Sequence, residues 1–380
     1  MYIRSIQSTI QRLSHVYPVI AITGPRQSGK TTISKMLFPN LPYVSLENLD
    51  TRSIAQNDPR GFLKKYEDGA IFDEVQHAPE ILSYLQEIVD SADMKGRYVL
   101  TGSQNFALNQ HISQSLAGRV SMHTLLPLSL NELKDYSDSI SNIFNGGYPA
   151  LHKLKIHPVD FYPSYIHTYI ERDVRQLLNI ENLGKFQTFL KLCAGRIGQV
   201  INFSSLATDC GISHTTVNKW LSILEASYII FFLQPFYNNF NKRLIKSPKL
   251  YFYDTGVACS LLGLEKQAQL ETHYLKGSLY ENIVVLEFIK HRLNLGLQPH
   301  IYFWRDRTGH EIDLVTEWGV DVRAFEIKSS STFHPEYTNG LQYLSKIMKV
   351  KDSYLVYDGA QDGLYKNIHL LPISKIQNYI

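Results

Sequence analysis

Residues Gly24, Pro25, Arg26, Gln27, Ser28, Gly29, Lys30 and Thr31 run consecutively in the form G-x-x-x-x-G-K-S/T. That spacing suits the cradling of a phosphate chain by backbone N–H groups. Lys30 is placed to reach β- and γ-phosphates and Thr31 to hold Mg²⁺. Thr32 follows directly and joins the loop as a candidate nucleotide contact. Glycine at 24 and 29 permits backbone geometry and close approach that a Cβ would block. An ordinary glycine-rich turn is the alternative, and the flanking residues argue against it. Val19–Ile22 is an apolar run that reads as a buried strand, and Thr32 to Phe38 reads as the start of a helix. A turn between strand and helix aims amide hydrogens and the positive end of the helix dipole at one point.

Two further runs could serve the same chemistry. Ala70-Ile71-Phe72-Asp73-Glu74 is a short apolar strand ending in two acids. Asp73 is the candidate Mg²⁺ ligand. Glu74 is the candidate base that orients the attacking water. A pair of surface acids is the alternative. Arg97 to Gln104 reads as another strand with a polar end, where Thr101, Ser103 or Gln104 would sense a γ-phosphate. Ser103 is kept as a nucleotide contact. Tyr43–Leu46 reads as a further strand. Strands ending in a phosphate loop, acids and hydroxyls imply a parallel sheet that binds ligand at its carboxyl edge. Arg119, in Leu116-Ala117-Gly118-Arg119, is the candidate for an arginine supplied across a subunit boundary. That role would entail a homo-oligomer; a local salt bridge is the competing role.

The order of these motifs, continued by Pro127-Leu128-Ser129 and Gly146-Gly147-Tyr148-Pro149, closely resembles a large prokaryotic family. It is that of AAA-type ATPases carrying a C-terminal domain of formerly unknown function. The resemblance covers nearly the whole chain. It implies a P-loop fold of the AAA+ kind with ATP and Mg²⁺ as ligands, and supplies no biological substrate.

Pro158 to Ile180 has helical spacing and reads as a helical lid, with Glu171, Arg172 and Asp173 on it. Arg172 reads better as a surface ion pair than as a nucleotide contact. Ser204–Cys210, Gly211, and a helix opened by Ser213 give a helix-turn-helix pattern. Tyr228–Leu233 and Lys249–Tyr253 would be wing strands, so this stretch resembles a winged-helix module. His214, Thr215, Asn218 and Lys219 occupy base-reading positions. Lys242, Arg243, Lys246 and Lys249 form a basic run suited to phosphates. Packing or protein docking is the alternative.

In the last stretch, Ser278 to Lys290 reads as a helix with Glu281 in its first turn. His310–Val315 and Ala324–Lys328 alternate as two strands, and the period of two puts Glu326 and Lys328 on one face. Asp313, twelve intervening residues, then Glu326-x-Lys328 resembles the restriction-endonuclease-like nuclease core. In such a site Asp313 and Glu326 would supply hard oxygen ligands to Mg²⁺, Glu281 would complete the set, and Lys328 would stabilise charge. The competing roles are a capping box for Ser278-x-x-Glu281 and a hairpin with ion-paired outer positions.

The elements that must position these residues fit a chain of 380 residues divided as 1–150, 151–265 and 266–380. These are an ATPase core, a helical and winged-helix module, and a restriction-endonuclease-like α/β domain. The fold class is α/β, led by a P-loop parallel sheet. Net charge of +3 names no partner, and 44% hydrophobic residues rule out a disordered chain. Cys193, Cys210 and Cys259 have no metal or disulfide spacing and read as buried, reduced thiols of a cytoplasmic protein. The longest apolar run, Tyr228 to Leu233, is far short of the roughly 18 residues a membrane span needs. Met1–Ser5 lacks a signal-peptide core, so no membrane partner is expected. The leading expectation is ATP hydrolysis coupled to the C-terminal half, with DNA or RNA as candidate partner. Its rivals are a nucleotide-controlled binding or signalling protein with a silent nuclease-like domain, and a DNA-binding regulator.

Overall fold

In a parallel sheet covered on both faces, every strand residue is buried and the strands read as unbroken apolar runs. Val19–Thr23 (β1) is such a strand, buried throughout. The computed structural model describes residues 2–91, 95–103, 115–134, 138–174, 182–236 and 247–380, with the backbone alone at 171–174. Two compact units emerge. One comprises Met1–Leu128 with Ala226–Tyr228 and Arg292–Gln298; the other holds Ser129–Glu225, Ile229–His291 and Pro299–Ile380.

The first unit is built on β1, Tyr43–Ser45 (β2), Ala70–Asp73 (β3), Tyr98–Gly102 (β4) and Val120–Thr124 (β5). Their order is β2-β3-β4-β1-β5, and every pair is parallel. Alternate β1 residues enter opposite cores, because side chains alternate along a strand. Val19 and Ala21 pack with Phe72, Leu82 and Leu100. Ile20 and Ile22 pack with Ile6, Ile33 and Val99. The helix Lys30–Leu37 starts directly after Gly29. The expected parallel α/β sheet is therefore present, with β4 inserted between β1 and β3.

The second unit holds a sheet of eight strands, ordered β12-β13-β11-β10-β9-β8-β6-β7. They are Ile230–Pro235 (β6), Lys249–Phe252 (β7), Ile301–Arg305 (β8), Glu311–Trp318 (β9), Asp321–Lys328 (β10), Asp352–Tyr357 (β11), Gly363–Tyr365 (β12) and Ile368–Pro372 (β13). β9 and β10 form an antiparallel hairpin, with Phe325 opposite Leu314. β6 and β7 pair antiparallel, but β6 also pairs parallel with β8. The strands assigned to a wing are thus one edge of the sheet that carries the C-terminal acids, not a free-standing hairpin.

The helices Phe203–Cys210 and His214–Ala226 flank Gly211, whose φ of 60° ends the first helix. The Ser213 hydroxyl accepts from the Thr216 N–H at 3.0 Å and caps the second. The helix Lys276–Asn294 carries Glu281. The segment expected as a lid begins as an α-helix, Pro158–Tyr165, and continues as a π-helix, Ile166–Val174. Residues 175–180 lie outside the described residues, as do the side chains of Glu171, Arg172 and Asp173. Cys193, Cys210 and Cys259 are free and buried. No helix among the described residues is long and apolar enough to cross a membrane.

Candidate functional site

At the carboxyl end of β1 the chain turns through Gly24, φ 145°, and Gly29, φ 97°. A Cβ on Gly24 would lie 2.2 Å from the Leu125 carbonyl oxygen, so glycine is required there on packing grounds as well. No side chain caps the helix that follows Gly29. The loop's own side chains turn inward. Lys30 is 5% exposed, and its ammonium donates to the carbonyls of Gly24 at 3.0 Å and Pro25 at 2.9 Å. Burial lowers its pKa, against the raising effect of Glu74 and Asp73. Ser28 is fully buried, and its hydroxyl has no hydrogen-bond partner among the described residues. Arg26 lies 3.8 Å from Glu47. Gln27 and Thr32 are exposed.

The acids at the end of β3 face this loop. The Thr31 hydroxyl donates to Asp73 at 3.1 Å from each carboxylate oxygen. Because β4 lies between β1 and β3, Thr101 reaches both acids. It donates to Asp73 Oδ1 and accepts from the Glu74 N–H at 3.3 Å. The Glu74 backbone is left-handed, φ 57°. That turn aims its carboxylate at Ser103, which donates to Oε2 from its hydroxyl at 2.9 Å and its N–H at 3.3 Å. Gln76 donates to the same oxygen. Burial pushes the Glu74 pKa up, but Lys30, Gln76 and Ser103 together hold it below the usual value.

Sequence reasoning missed two supports of this site. Tyr43 donates to Asp73 Oδ2 at 2.6 Å. Burial and that carboxylate push its phenol up to about 12. The Arg4 guanidinium is buried and donates to the carbonyls of Ser28 at 2.8 Å and Leu126 at 2.6 Å, bracing the loop from beneath. Neither residue has a local sequence signal; each is brought in by strand order and chain reversal. Arg119 lies apart in an ion pair with Asp90, donating to Oδ2 at 2.8 Å, and also donates to the Ala117 carbonyl. Gln104 lies outside the described residues.

These residues suit a metal-bound nucleotide. Thr31 and Asp73 offer adjacent hard oxygens, the Ser28 hydroxyl is an orphan in the cradle, and the helix N-terminus is uncapped.

In the second unit, Glu281, Asp313, Glu326 and Lys328 come together. The Asp313 Oδ2 accepts from the Ile327 N–H at 2.8 Å across the β9–β10 hairpin. Lys328 lies 2.6 Å from Glu326 Oε1 and 3.9 Å from Asp313 Oδ2. Glu326 Oε2 is buried with no hydrogen-bond partner among the described residues. Burial pushes Glu281 up to about 7 against the lowering effect of Lys249, and burial with the charge of Asp313 pushes Glu326 up to about 8 against that of Lys328.

The structure corrects the reading of Lys249 as a phosphate contact. It is 2% exposed, 2.8 Å from Glu281, 2.6 Å from Glu311 and 3.7 Å from Asp313. Tyr251 also donates to Glu281 Oε1. Alternation along β7 and the pairing with β6 turn Lys249 inward, which a run of basic letters conceals. Lys242, Arg243 and Lys246 lie outside the described residues. Among the described residues no three His, Cys, Asp or Glu side chains are grouped to hold a metal ion. With the Lys249 ammonium lying among these carboxylates, the residues at this cluster do not fit the Mg²⁺ of a nuclease core. His214, Thr215, Asn218 and Lys219 are all exposed on their helix.

Three family models match successive stretches of the chain. Residues 16–134 match the family model of an AAA domain. Residues 137–268 and 276–376 match two domains of unknown function, DUF8612 and DUF4143. The uncharacterized proteins Rv2008c of Mycobacterium tuberculosis and Mb2031c of Mycobacterium bovis are each 29% identical over 363 residues, covering 94% of this chain and 80% of theirs. Among solved structures, similarity extends to the Walker-type ATPase PABY2304 of Pyrococcus abyssi. Identity is 12% and the TM-score 0.39, covering 69% of this chain and 96% of that one. AMPPCP-bound DnaA from Aquifex aeolicus is 13% identical with a TM-score of 0.29, covering 58% of this chain and 85% of that one.

Proposed function

Because the chain opens with a P-loop ATPase domain of the AAA type followed by two domains of unknown function, we propose that it binds and hydrolyses ATP with Mg²⁺. We further propose that nucleotide state governs what its C-terminal half binds. The observation that carries this reading is the convergence of Lys30, Thr31, Asp73 and Glu74 at one sheet edge, with the Thr31 hydroxyl 3.1 Å from both Asp73 oxygens.

Each side chain has a task that follows from its surroundings. The Lys30 ammonium already satisfies loop carbonyls and would exchange them for phosphate oxygens, a stronger charge-assisted contact. Thr31 and Asp73 would hold Mg²⁺, which when bound screens the charge on the phosphate oxygens. Thr101 and Tyr43 fix the Asp73 carboxylate through their hydroxyls. Glu74, kept ionised by Lys30 and Ser103, would orient water and take its proton. Arg119 would act on the nucleotide of a neighbouring copy after releasing Asp90.

For the C-terminal half, the Lys249 ion pairs favour the binding reading over phosphodiester cleavage. The exposed helix face with His214, Thr215, Asn218 and Lys219 is the nucleic-acid contact we propose. The test is phosphate release and calorimetric ATP binding for the parent and Lys30→Ala, each with and without DNA or RNA. Lost binding in the variant supports the phosphate loop; unchanged affinity contradicts it. Retention of nucleic acid that weakens steeply with salt supports the partner, and no retention at low salt removes it.

A further inference from the structure

The carboxylates on β9, β10 and the helix Lys276–Asn294 would repel one another in a half-buried cluster unless a cation joined them. Glu281, Glu311, Asp313 and Glu326 each have a side-chain cation within 4 Å. Glu281 has Lys249 at 2.8 Å, and Glu311 has Lys249 at 2.6 Å and Arg305 at 3.3 Å. Asp313 has Lys249 at 3.7 Å and Lys328 at 3.9 Å, and Glu326 has Lys328 at 2.6 Å. Lys249 alone touches three of the four, from a different strand, and is the least exposed member. We infer that the ammonium of Lys249 is the resident cation of this cluster, standing where a nuclease-like core would hold a divalent ion. This deepens the binding reading of the C-terminal half, and rests on it.

The chemistry supports an exclusive arrangement. A divalent ion and an ammonium cannot share three carboxylates at these distances, because like charges in a poorly solvated site repel strongly. An ammonium donates hydrogen bonds but cannot polarise a phosphate or acidify a water as a metal can. The cluster then ties β7, β9, β10 and the helix together as an ionic tie without metal. Lys249 is carried by β7, the edge strand paired with β6, which in turn joins the sheet through β8.

The test is Mn²⁺ binding to the full chain by electron paramagnetic resonance. Proteins with and without Asp313→Asn are compared, so that any ion at the phosphate loop cancels. We expect the parent and Asp313→Asn to bind equal Mn²⁺. Lys249→Met should bind one further equivalent, lost again when Asp313→Asn is added. Removing one partner of a buried pair is destabilising, so the charge-balanced variant Lys249→Met/Glu281→Gln is measured beside it. The inference is overturned if the parent loses an equivalent of Mn²⁺ on Asp313→Asn. It is overturned equally if a folded protein lacking Lys249, single or paired, gains none. Plasmid cleavage by the parent that Asp313→Asn abolishes would instead sink the binding reading itself.

Discussion

Replacing Gly24 by alanine tests the phosphate loop through packing alone, without touching a charge. An alanine Cβ there would stand 2.2 Å from the Leu125 oxygen and 3.0 Å from the Leu125 carbonyl carbon. Carbon-to-oxygen contacts normally stop at about 3.3 Å, so roughly 1 Å of overlap must be relieved. Leu125 cannot easily give way, because its N–H donates to the Thr23 carbonyl at 2.8 Å beside the β1–β5 ladder. The loop must move instead, carrying the Gly24 and Pro25 carbonyls that hold Lys30. Overpacking costs about 1–3 kcal/mol, and the positive φ of 145° adds about 1–3 kcal/mol more. A total of about 2–6 kcal/mol should appear as a lower melting temperature and as ATP affinity reduced at least tenfold, read by calorimetry. Gly118→Ala is the control. Its φ is also positive, 76°, but a Cβ there meets nothing within 4 Å. It should lose about 1 kcal/mol of stability and no affinity. Parental melting and affinity in Gly24→Ala would refute the reasoning.

Two further outcomes are expected. His123 is buried, its Nδ1 has no hydrogen-bond partner among the described residues, and burial, aided by Arg12, lowers its pKa to about 4. The unfolded chain takes up this proton below about 6.5 while the native state does not. Stability should therefore fall as pH drops from about 6.5 to 4, by about 3 kcal/mol at most. His123→Gln should remove that slope in denaturant titrations, and an unchanged slope would clear His123. Arg119→Ala should keep ATP affinity but slow hydrolysis by roughly 10³-fold, in a manner that depends on protein concentration. A parental rate would leave Arg119 as the partner of Asp90 and nothing more.

What could be read in advance depended on whether the information was local. The strand–loop–helix at 19–37 is contiguous, so its apolar run and glycines carry both element and turn. The β9–β10 hairpin was legible for the same reason, since a period of two fixes which residues share a face. The role of Tyr43 beside Asp73 depends on β2 pairing with β3, and that of Thr101 on β4 lying between β1 and β3; strand order has no letter in the sequence. Lys249 misled because four basic residues close together suggest a solvated face. Burial was decided by β6 adding to β8, a pairing across more than sixty intervening residues. The π-helix Ile166–Val174 has the same apolar spacing as an α-helix at this length, so periodicity could not separate them.

The central claim is that Glu74 activates water beside a nucleotide held by Lys30, Thr31 and Asp73. Single-turnover phosphate release by Glu74→Gln, paired with its ATP affinity, tests it most directly. The account predicts affinity equal to the parent and hydrolysis slower by about 10²- to 10⁴-fold. Hydrolysis at the parental rate would contradict it.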